Sequence, residues 1–129
     1  MGPDERLGQL FMLSYGGEEP TPLLYSWIRR RGLGGVKIFG WNADDTGKLA
    51  DAIEDIQKAA ENGPLDVPPF VATDQEGGWI RHVRGSTSVT PGNMAIGASG
   101  WPSDAYLSAY YIGVELSAPC RGAVVWALL

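Results

Sequence analysis

The chain has 129 residues, of which 44% are hydrophobic, and this suits one folded domain or part of a larger one. Its formal net charge of -5 disfavours a nucleic-acid partner, because phosphates are bound by basic surfaces. No apolar run approaches the roughly 20 residues that cross a bilayer, and the charged first ten residues predict no signal peptide in this chain. We therefore expect no membrane contact and favour a cytoplasmic location.

A short helix, a strand and a longer helix are predicted at the start of the chain. Residues 4–9 follow Pro3 as one or two helical turns, and the continuous apolar run 10–15 is typical of a strand covered on both faces. Thr21 indicates the N-cap of the second helix, and Gly32 indicates its end. The side chains predicted to face inward from that helix are Leu23, Leu24, Trp27 and Ile28.

Two further strands flank the most regular helix of the sequence. Residues 36–41 and 70–75 are short runs of strand-forming residues. Between them, residues 44–61 place apolar side chains at helical spacing, and Asn42 is the expected N-cap. The side chains predicted to be buried in this helix are Leu49, Ala52, Ile53, Ile56, Ala59 and Ala60.

The last third of the chain has a weaker pattern. Residues 78–100 are rich in glycine, serine, threonine and proline, and so long a loop in a compact domain is usually functional. Ser103 is expected to cap a final helix, and residues 124–129 could pair as a fourth strand. The apolar side of that helix is predicted to contain Tyr106, Leu107, Tyr110, Tyr111, Val114 and Leu116.

Strands followed by helices, three times in succession, predict an α/β fold with a parallel sheet and right-handed crossovers. Two closures fit this repeat: an open doubly wound sheet, or one arc of a (β/α)8 barrel. Periodicity alone does not distinguish them, because repeat units of about 30–40 residues occur in both architectures.

Polar and aromatic residues follow the three predicted strands, where a parallel barrel places its chemistry. They are Tyr15, Trp41, Asn42, Asp74, Glu76, Trp79, Arg81 and His82. Carboxylates, cations and flat rings together suit a sugar, since charged groups bind its hydroxyls and an indole covers its apolar face. The glycine patterns of dinucleotide and nucleoside triphosphate sites are absent from the sequence.

Several segments resemble the N-terminal barrel of family 3 glycoside hydrolases, and most closely its β-N-acetylhexosaminidase branch. The most specific is the DQEGG motif of residues 74–78. The others, in the order and spacing of the family, are residues 8–12, 34–40, 90–98 and 112–116. The resemblance covers about residues 5–118. It implies a partial (β/α)8 TIM-like barrel, made of about the first three to four βα units.

The resemblance also implies an activity, the hydrolysis of terminal β-linked N-acetylhexosamine with retention of configuration. Asp74 matches the aspartate that binds sugar hydroxyls in the −1 subsite of such enzymes. Trp79 and His82 occupy positions where the family often has arginine. Arg81, His82 or Arg84 could therefore contact the sugar, and the choice stays open. The predicted substrate-binding residues are Asp74, Glu76, Trp79, Arg81 and His82.

The catalytic pair is expected outside these residues. A retaining glycosidase needs a carboxylate nucleophile and a carboxylic acid/base about 5 Å apart. Asp74 and Glu76 would share one strand and one side of a substrate, whereas the mechanism needs groups around the anomeric centre. The resemblance implies a nucleophilic aspartate from a later strand and acid/base chemistry from a histidine-containing loop similar to KHFPGHG, and this sequence contains neither segment.

The end of the chain departs from the family pattern. Residues 1–129 are interpreted as the N-terminal part of one barrel domain, but residues 119–129 diverge from the expected NFAPVLD-like strand. This predicts a truncated or frame-shifted product, because a closed eight-stranded barrel needs about 250 residues. Exposed sheet edges and apolar faces would then favour self-association.

Two rival interpretations stay open. The chain could be a non-catalytic sugar-binding or half-barrel module that assembles with another chain, or a flavodoxin-like domain that binds a phosphorylated ligand.

Cys120 is the single cysteine, which excludes an internal disulfide and a multi-cysteine metal site. We accordingly expect a carbohydrate partner and neither a cofactor nor a bound metal.

Overall fold

The computed structural model describes residues 1–120 and 125–128, which form a mainly parallel sheet and five helices within those ranges. The helices are α1 (Pro3–Gly8), α2 (Pro22–Arg31), α3 (Thr46–Glu61), α4 (Asn93–Ser99) and α5 (Pro102–Cys120). The strands are β1 (Met12–Leu13), β2 (Gly35–Ile38), β3 (Phe70–Gly77), β4 (Ile80–Arg81) and β5 (Val125–Leu128), and a 3-10 turn spans Gly40–Asn42. In this part of the chain, no helix has the length and apolarity that crossing a membrane requires.

Strands β1, β2, β3 and β5 are parallel and adjacent in that order. Leu13 pairs with Val36, Val36 pairs with Val71, and Val71 pairs with Val125. Strand β4 runs antiparallel to the end of β3. Each connection between successive parallel strands contains a helix, so the predicted α/β fold with a parallel sheet is confirmed.

The sheet has a buried face and an open face, because successive side chains of a strand alternate between its two sides. The buried face carries Val36, Ile38, Val71, Thr73 and Gln75. We define the open face by its half-buried residues Lys37, Ala72, Asp74 and Glu76. The first two residues of the DQEGG motif therefore point to opposite sides of the sheet.

Helices α2, α3 and α5 cover the buried face. Their buried side chains include Leu24, Ile28, Leu49, Ile53, Ile56, Ile112 and Leu116. The six residues predicted to be buried in the central helix are all buried, which confirms the pattern of α3. Burying one leucine or isoleucine side chain stabilises a fold by about 1.5–3 kcal/mol, so this layer is the main source of stability.

The first strand differs from its prediction. β1 consists of Met12 and Leu13 only, and Leu10, Phe11 and Met12 are all exposed. The prediction of a strand covered on both faces is wrong. β1 is an edge strand that pairs with β2 alone, and Met12 lies on the side of the sheet that the helices leave uncovered.

Helix α2 begins and ends where the sequence predicts. The Thr21 hydroxyl accepts a hydrogen bond from the Leu24 N–H at 3.3 Å, and Gly32 ends the helix with a φ of 59°. Glycine favours this left-handed conformation because it has no Cβ. The prediction that Leu23 faces inward is wrong, since its residue is 69% exposed and Tyr25 packs against the core instead.

The predicted helix cap at Asn42 is also wrong. Asn42 is buried in the 3-10 turn, where its Oδ1 accepts a hydrogen bond from the Phe39 N–H at 2.9 Å. Helix α3 begins at Thr46, and the Asp45 carboxylate accepts from two N–H groups of its first turn. The 3-10 turn after β2 separates the strand from the helix and moves the cap three residues along the chain.

The segment 78–100, predicted to be irregular, contains β4 and α4. Helix α5 then begins at Pro102, one residue before the predicted cap Ser103, and Leu116 is buried as predicted. The other five residues predicted for its apolar side are exposed: Tyr106, Leu107, Tyr110, Tyr111 and Val114. Their prediction is wrong because α5 contacts the core through the narrow stripe of Ile112 and Leu116, which leaves its aromatic side uncovered.

The fourth strand predicted at the chain end is confirmed over Val125–Leu128, which pairs in parallel with β3. Residues 124 and 129 of that prediction lie outside the described residues. With β5 in place, the parallel sheet has β1 at one edge and β5 at the other.

Candidate functional site

The DQEGG motif forms the end of β3 and the turn that follows it. Asp74 and Glu76 lie on the open face, half buried, at the carboxyl end of the parallel strands. Gln75 points to the other side and is almost completely buried. Its Nε2 donates to the Val83 carbonyl at 2.8 Å, and its Oε1 accepts from the Val83 N–H at 3.0 Å. Gln75 therefore attaches the segment after β4 to the sheet.

The two glycines of the motif allow the chain to turn sharply. Gly77 and Gly78 have φ values of 82° and 56°, a region that side chains disfavour. A Cβ on Gly77 would lie 2.4 Å from the Pro91 carbonyl oxygen, so the neighbouring loop also requires glycine here. The turn returns the chain as β4, and Arg81 pairs with Gln75 in the ladder.

Asp74 forms an ion pair that the sequence did not predict. The Lys37 Nζ lies 2.5 Å from the Asp74 Oδ1, and the two side chains are only 18% and 28% exposed. The Lys37 ammonium also lies 5.8 Å from the centroid of the Phe39 ring. The signal in the sequence is a single lysine inside the otherwise apolar strand β2, at a position that alternates away from the buried Val36 and Ile38.

His82 lies beside the ends of β2 and β3. Its backbone N–H donates to the Asp74 carbonyl at 3.3 Å, and its Nδ1 is 3.4 Å from the Ile38 carbonyl oxygen. Its ring contacts the Phe39 ring, with 5.4 Å between the centroids. His82 is thus attached through its backbone to Asp74 itself, and its ring lies against the end of β2.

The two arginines near the motif are engaged with loop carbonyls. The Arg81 guanidinium donates to the carbonyl oxygens of Thr87 and Ser88 at 3.0 and 3.1 Å. The exposed Arg84 donates through Nε to the Arg81 carbonyl at 3.4 Å. Arg81 therefore stabilises the loop after β4 in this structure, and its guanidinium is not paired with the Asp74 carboxylate.

The aromatic residues predicted at the strand ends fall into three environments. Tyr15 is buried, and burial together with the nearby Tyr25 raises the pKa of its hydroxyl to about 12. Trp41 is half exposed, and its Nε1 donates to the Tyr15 carbonyl at 2.9 Å. Trp79 is 99% exposed at the tip of the turn before β4. These residues therefore do not form a single aromatic wall.

Asn42 has a structural role at this end of the sheet. Its Nδ2 donates to the carbonyl oxygens of Tyr15 and Gly17 at 3.0 and 2.6 Å. These bonds attach the chain after β1 to the turn after β2, although the two segments are separated by helix α2. Asn42 is buried and its amide is used internally, so it is not available to a ligand.

A cavity of about 460 Å³ lies elsewhere on the molecule, between α3, the loop at Ser86 and Thr87, and the C-terminal half of α5. It is separate from Asp74 and from the open face. Within residues 1–120 and 125–128, no three histidine, cysteine or acidic side chains are arranged to hold a metal ion.

Solved structures of enzymes that act on N-acetylated sugars share this fold. A family 3 β-N-acetylglucosaminidase from a Paenibacillus species superposes with a TM-score of 0.86 and 32% identity, over 92% of this chain and 22% of that one. A β-N-acetylhexosaminidase from Beutenbergia cavernae superposes with a TM-score of 0.67 and 29% identity, over 76% of this chain and 30% of that one. The prediction of a partial barrel is thereby confirmed.

Sequence comparison agrees with the structural likeness. The chain is 36% identical over 113 residues to beta-hexosaminidase A from Pseudoalteromonas piscicida, covering 74% of this chain and 19% of that protein. The chain thus spans about a fifth of the length of the relatives that it matches first. The model of the glycosyl hydrolase family 3 N-terminal domain matches residues 3–119. The chain therefore belongs to glycosyl hydrolase family 3, and it matches the N-terminal domain of that family.

Proposed function

We propose that this chain forms part of the −1 sugar site of a β-N-acetylhexosaminidase, which hydrolyses terminal β-linked N-acetylhexosamine with retention of configuration. The observation that carries the proposal is the position of Asp74. It lies near the carboxyl end of β3 on the open face and is paired with Lys37, at the edge of the sheet where a parallel barrel binds its substrate. The names of the related enzymes support N-acetylglucosamine as the sugar.

The proposed roles follow from the contacts of each side chain. The Asp74 carboxylate accepts hydrogen bonds from two sugar hydroxyls, and Lys37 keeps that carboxylate in place. His82 offers a ring nitrogen beside the same strand end. Arg81 would have to leave the carbonyls of Thr87 and Ser88 to reach a sugar, which supports His82 as the basic contact.

Glu76 and Trp79 have weaker support as sugar contacts. Glu76 lies on the open face two residues beyond Asp74, so its carboxylate can accept from a more distant hydroxyl. Trp79 is at the tip of the turn and would need to close over a bound sugar, because its side chain is fully exposed. We therefore assign both to the rim of the proposed site.

We expect the chain alone to bind sugar without cleaving it. Retaining hydrolysis needs two carboxyl groups on opposite sides of the anomeric carbon, about 5 Å apart. Asp74 and Glu76 belong to one strand and share one face, so they approach a substrate from the same side. Asp74 and Glu76 are therefore not expected to serve as the nucleophile and the acid/base of the proposed reaction.

Calorimetric titration of the chain with N-acetylglucosamine tests the proposal. We expect saturable binding with a dissociation constant on the order of 1 mM, as suits a small ligand held by a few hydrogen bonds. Asp74→Asn should abolish it, whereas Asp66→Asn makes the same chemical change at an exposed loop position and should leave it unaltered. No binding by the unaltered chain, or equal binding by Asp74→Asn, would overturn the proposal.

An activity assay tests the catalytic part separately. The chain is expected to release no chromophore from an aryl N-acetyl-β-glucosaminide. Release that disappears in Asp74→Ala would show that this chain contains a complete active site and would contradict the expected division of roles.

A second candidate function is a half-barrel module that assembles with another chain. It is favoured by the exposed apolar residues Met12 and Phe70, which are 48% and 50% exposed at the amino ends of β1 and β3. In a closed barrel, such positions would be covered by further strands. Sedimentation analysis tests this candidate: a discrete oligomer that binds N-acetylglucosamine, beside a monomer that does not, would support the module over the isolated site.

A further inference from the structure

The side chain of Trp41 is held in place and yet remains accessible. Its Nε1 donates to the Tyr15 carbonyl, and its ring stacks on Phe39 with the centroids 4.7 Å apart and the planes inclined by 21°. The residue is nevertheless 55% exposed. A ring that is covered on one face and more than half exposed has its other face available to a ligand.

The backbone that carries Trp41 is also well fixed. Trp41 is the central residue of the 3-10 turn, and the next residue, Asn42, is buried. The Asn42 side chain bonds to the backbone of Phe39 on one side and to the carbonyls of Tyr15 and Gly17 on the other. Because the ring is already ordered, a ligand that stacks on it causes little loss of side-chain entropy.

The contacts of Phe39 relate Trp41 to the proposed sugar site. Lys37 bonds to Asp74, and its ammonium lies over the Phe39 ring. The Phe39 ring in turn stacks on Trp41. Phe39 therefore connects the Lys37–Asp74 pair to Trp41 through a series of contacts, and we take a single sugar ring bound at Asp74 to leave the indole uncovered. The indole is placed for a second ring.

We propose that Trp41 binds the second pyranose ring of a β-linked N-acetylglucosamine oligosaccharide by stacking its exposed indole face on that ring. This inference rests on the proposed function, since it takes the first ring to be bound at Asp74. The apolar face of a pyranose suits an indole, and such stacking should make a disaccharide bind about tenfold more tightly than the monosaccharide.

Trp79, the tryptophan that the sequence favoured as a sugar contact, is less suited to this role. It is 99% exposed, and among the described residues its side chain stacks on no other ring. A ligand would have to immobilise it, which reduces the net gain from stacking. Trp41 is therefore the ordered indole of the site.

The test compares calorimetric titrations with N-acetylglucosamine and with its β-1,4-linked disaccharide. In Trp41→Ala, the roughly tenfold advantage of the disaccharide should disappear while monosaccharide binding remains. Trp101→Ala removes an exposed indole ahead of α5 and should change neither affinity. Trp41→Phe keeps an aromatic face without the Nε1–H, and it should retain most of the advantage even if Trp41→Ala is poorly folded.

A spectroscopic measurement on the unaltered chain complements these variants. The disaccharide should shift the NMR signals of the carbon-bound indole protons of Trp41. These signals are assigned by their absence from the spectrum of Trp41→Phe. The Nε1–H proton should exchange with solvent at the same rate with and without the disaccharide, because it stays bonded to the Tyr15 carbonyl. The monosaccharide should shift these ring protons much less.

The outcomes separate this inference from the proposed function. If neither sugar binds the unaltered chain, both fail. If both sugars bind through Asp74 with equal affinity, or if Trp79→Ala removes the advantage and Trp41→Ala does not, the inference fails while the proposed function stands.

Discussion

Lys37 and Asp74 are 37 positions apart in the sequence, yet the Nζ of one lies 2.5 Å from the Oδ1 of the other. The register of the sheet explains this contact. Lys37 pairs with Ala72, and Asp74 is the next residue of β3 on the same face. A lysine side chain is long enough to extend along the strand to that carboxylate. The pair is largely withdrawn from water, which distinguishes it from the exposed ion pairs of this chain.

Replacing Lys37 by methionine should weaken the binding of N-acetylglucosamine about tenfold, because the Asp74 carboxylate loses a charge-assisted hydrogen bond that orients it. Calorimetric titration measures the change. Lys58→Met makes the same replacement in the exposed pair with Glu54 on α3 and should leave the affinity unaltered. Equal affinities for Lys37→Met and the unaltered chain would show that the ion pair does not position the sugar ligand.

Replacing Gln75 by leucine should lower the free energy of unfolding by about 2 kcal/mol, because the buried Val83 N–H loses the Gln75 Oε1 acceptor. The Val83 carbonyl keeps a bond from Thr87. Urea unfolding measures the loss. Gln57→Leu removes a single bond to the Pro69 carbonyl at a partly buried site and should cost less, about 1 kcal/mol. A neutral Gln75→Leu would contradict the structural role assigned to this residue.

Stability should fall as the pH rises from 10 to 12, and Tyr15 should contribute to the fall. Burial, and then the nearby Tyr25, raises the pKa of Tyr15 from 10.0 to about 12 in the folded chain. As the pH rises, the Tyr15 hydroxyl ionises at a lower pH in the unfolded chain than in the folded chain. Its contribution to the free energy of unfolding is therefore complete below pH 10 and is lost as the pH rises from 10 to 12. Thermal unfolding across this range measures the effect.

Tyr15→Phe separates this contribution from that of the other tyrosines. Its hydroxyl has no hydrogen-bond partner among the described residues, so the replacement should not lower stability at neutral pH. It should reduce the loss of stability between pH 10 and 12. Tyr110→Phe, at an exposed position on α5, should leave that loss unchanged. An identical pH dependence in Tyr15→Phe and the unaltered chain would refute the assignment.

We expect the chain to self-associate, and replacing Tyr110 by lysine should reduce that association. Tyr110 stacks on Tyr106 and contacts Tyr111 edge-on, and all three rings are exposed on one side of α5. A contiguous exposed apolar patch promotes association, and a charge at its centre opposes it. Sedimentation velocity measures the effect. Leu23→Lys changes a single exposed apolar residue of α2 and should not alter the sedimentation profile.

Local patterns predicted the parts of the fold that depend on local chemistry. The buried stripe of α3, the cap at Thr21 and the glycine end at Gly32 all follow from neighbours within a few residues. The stripe of α5 was not predictable in this way. Its tyrosines are as apolar as core residues by composition, and only the packing of the helix shows that Ile112 and Leu116 face the sheet.

The site shows the same division. The sequence alone determined that the DQEGG segment ends a strand and that its acids lie at the carboxyl edge of a parallel sheet, because strand propensity and the alternation of strands with helices are properties of the sequence pattern. Only the tertiary structure decided that Lys37 pairs with Asp74, that Gln75 holds Val83 and that Arg81 bonds to a loop. Those contacts join positions distant in the chain, and strand register and tight turns bring them together.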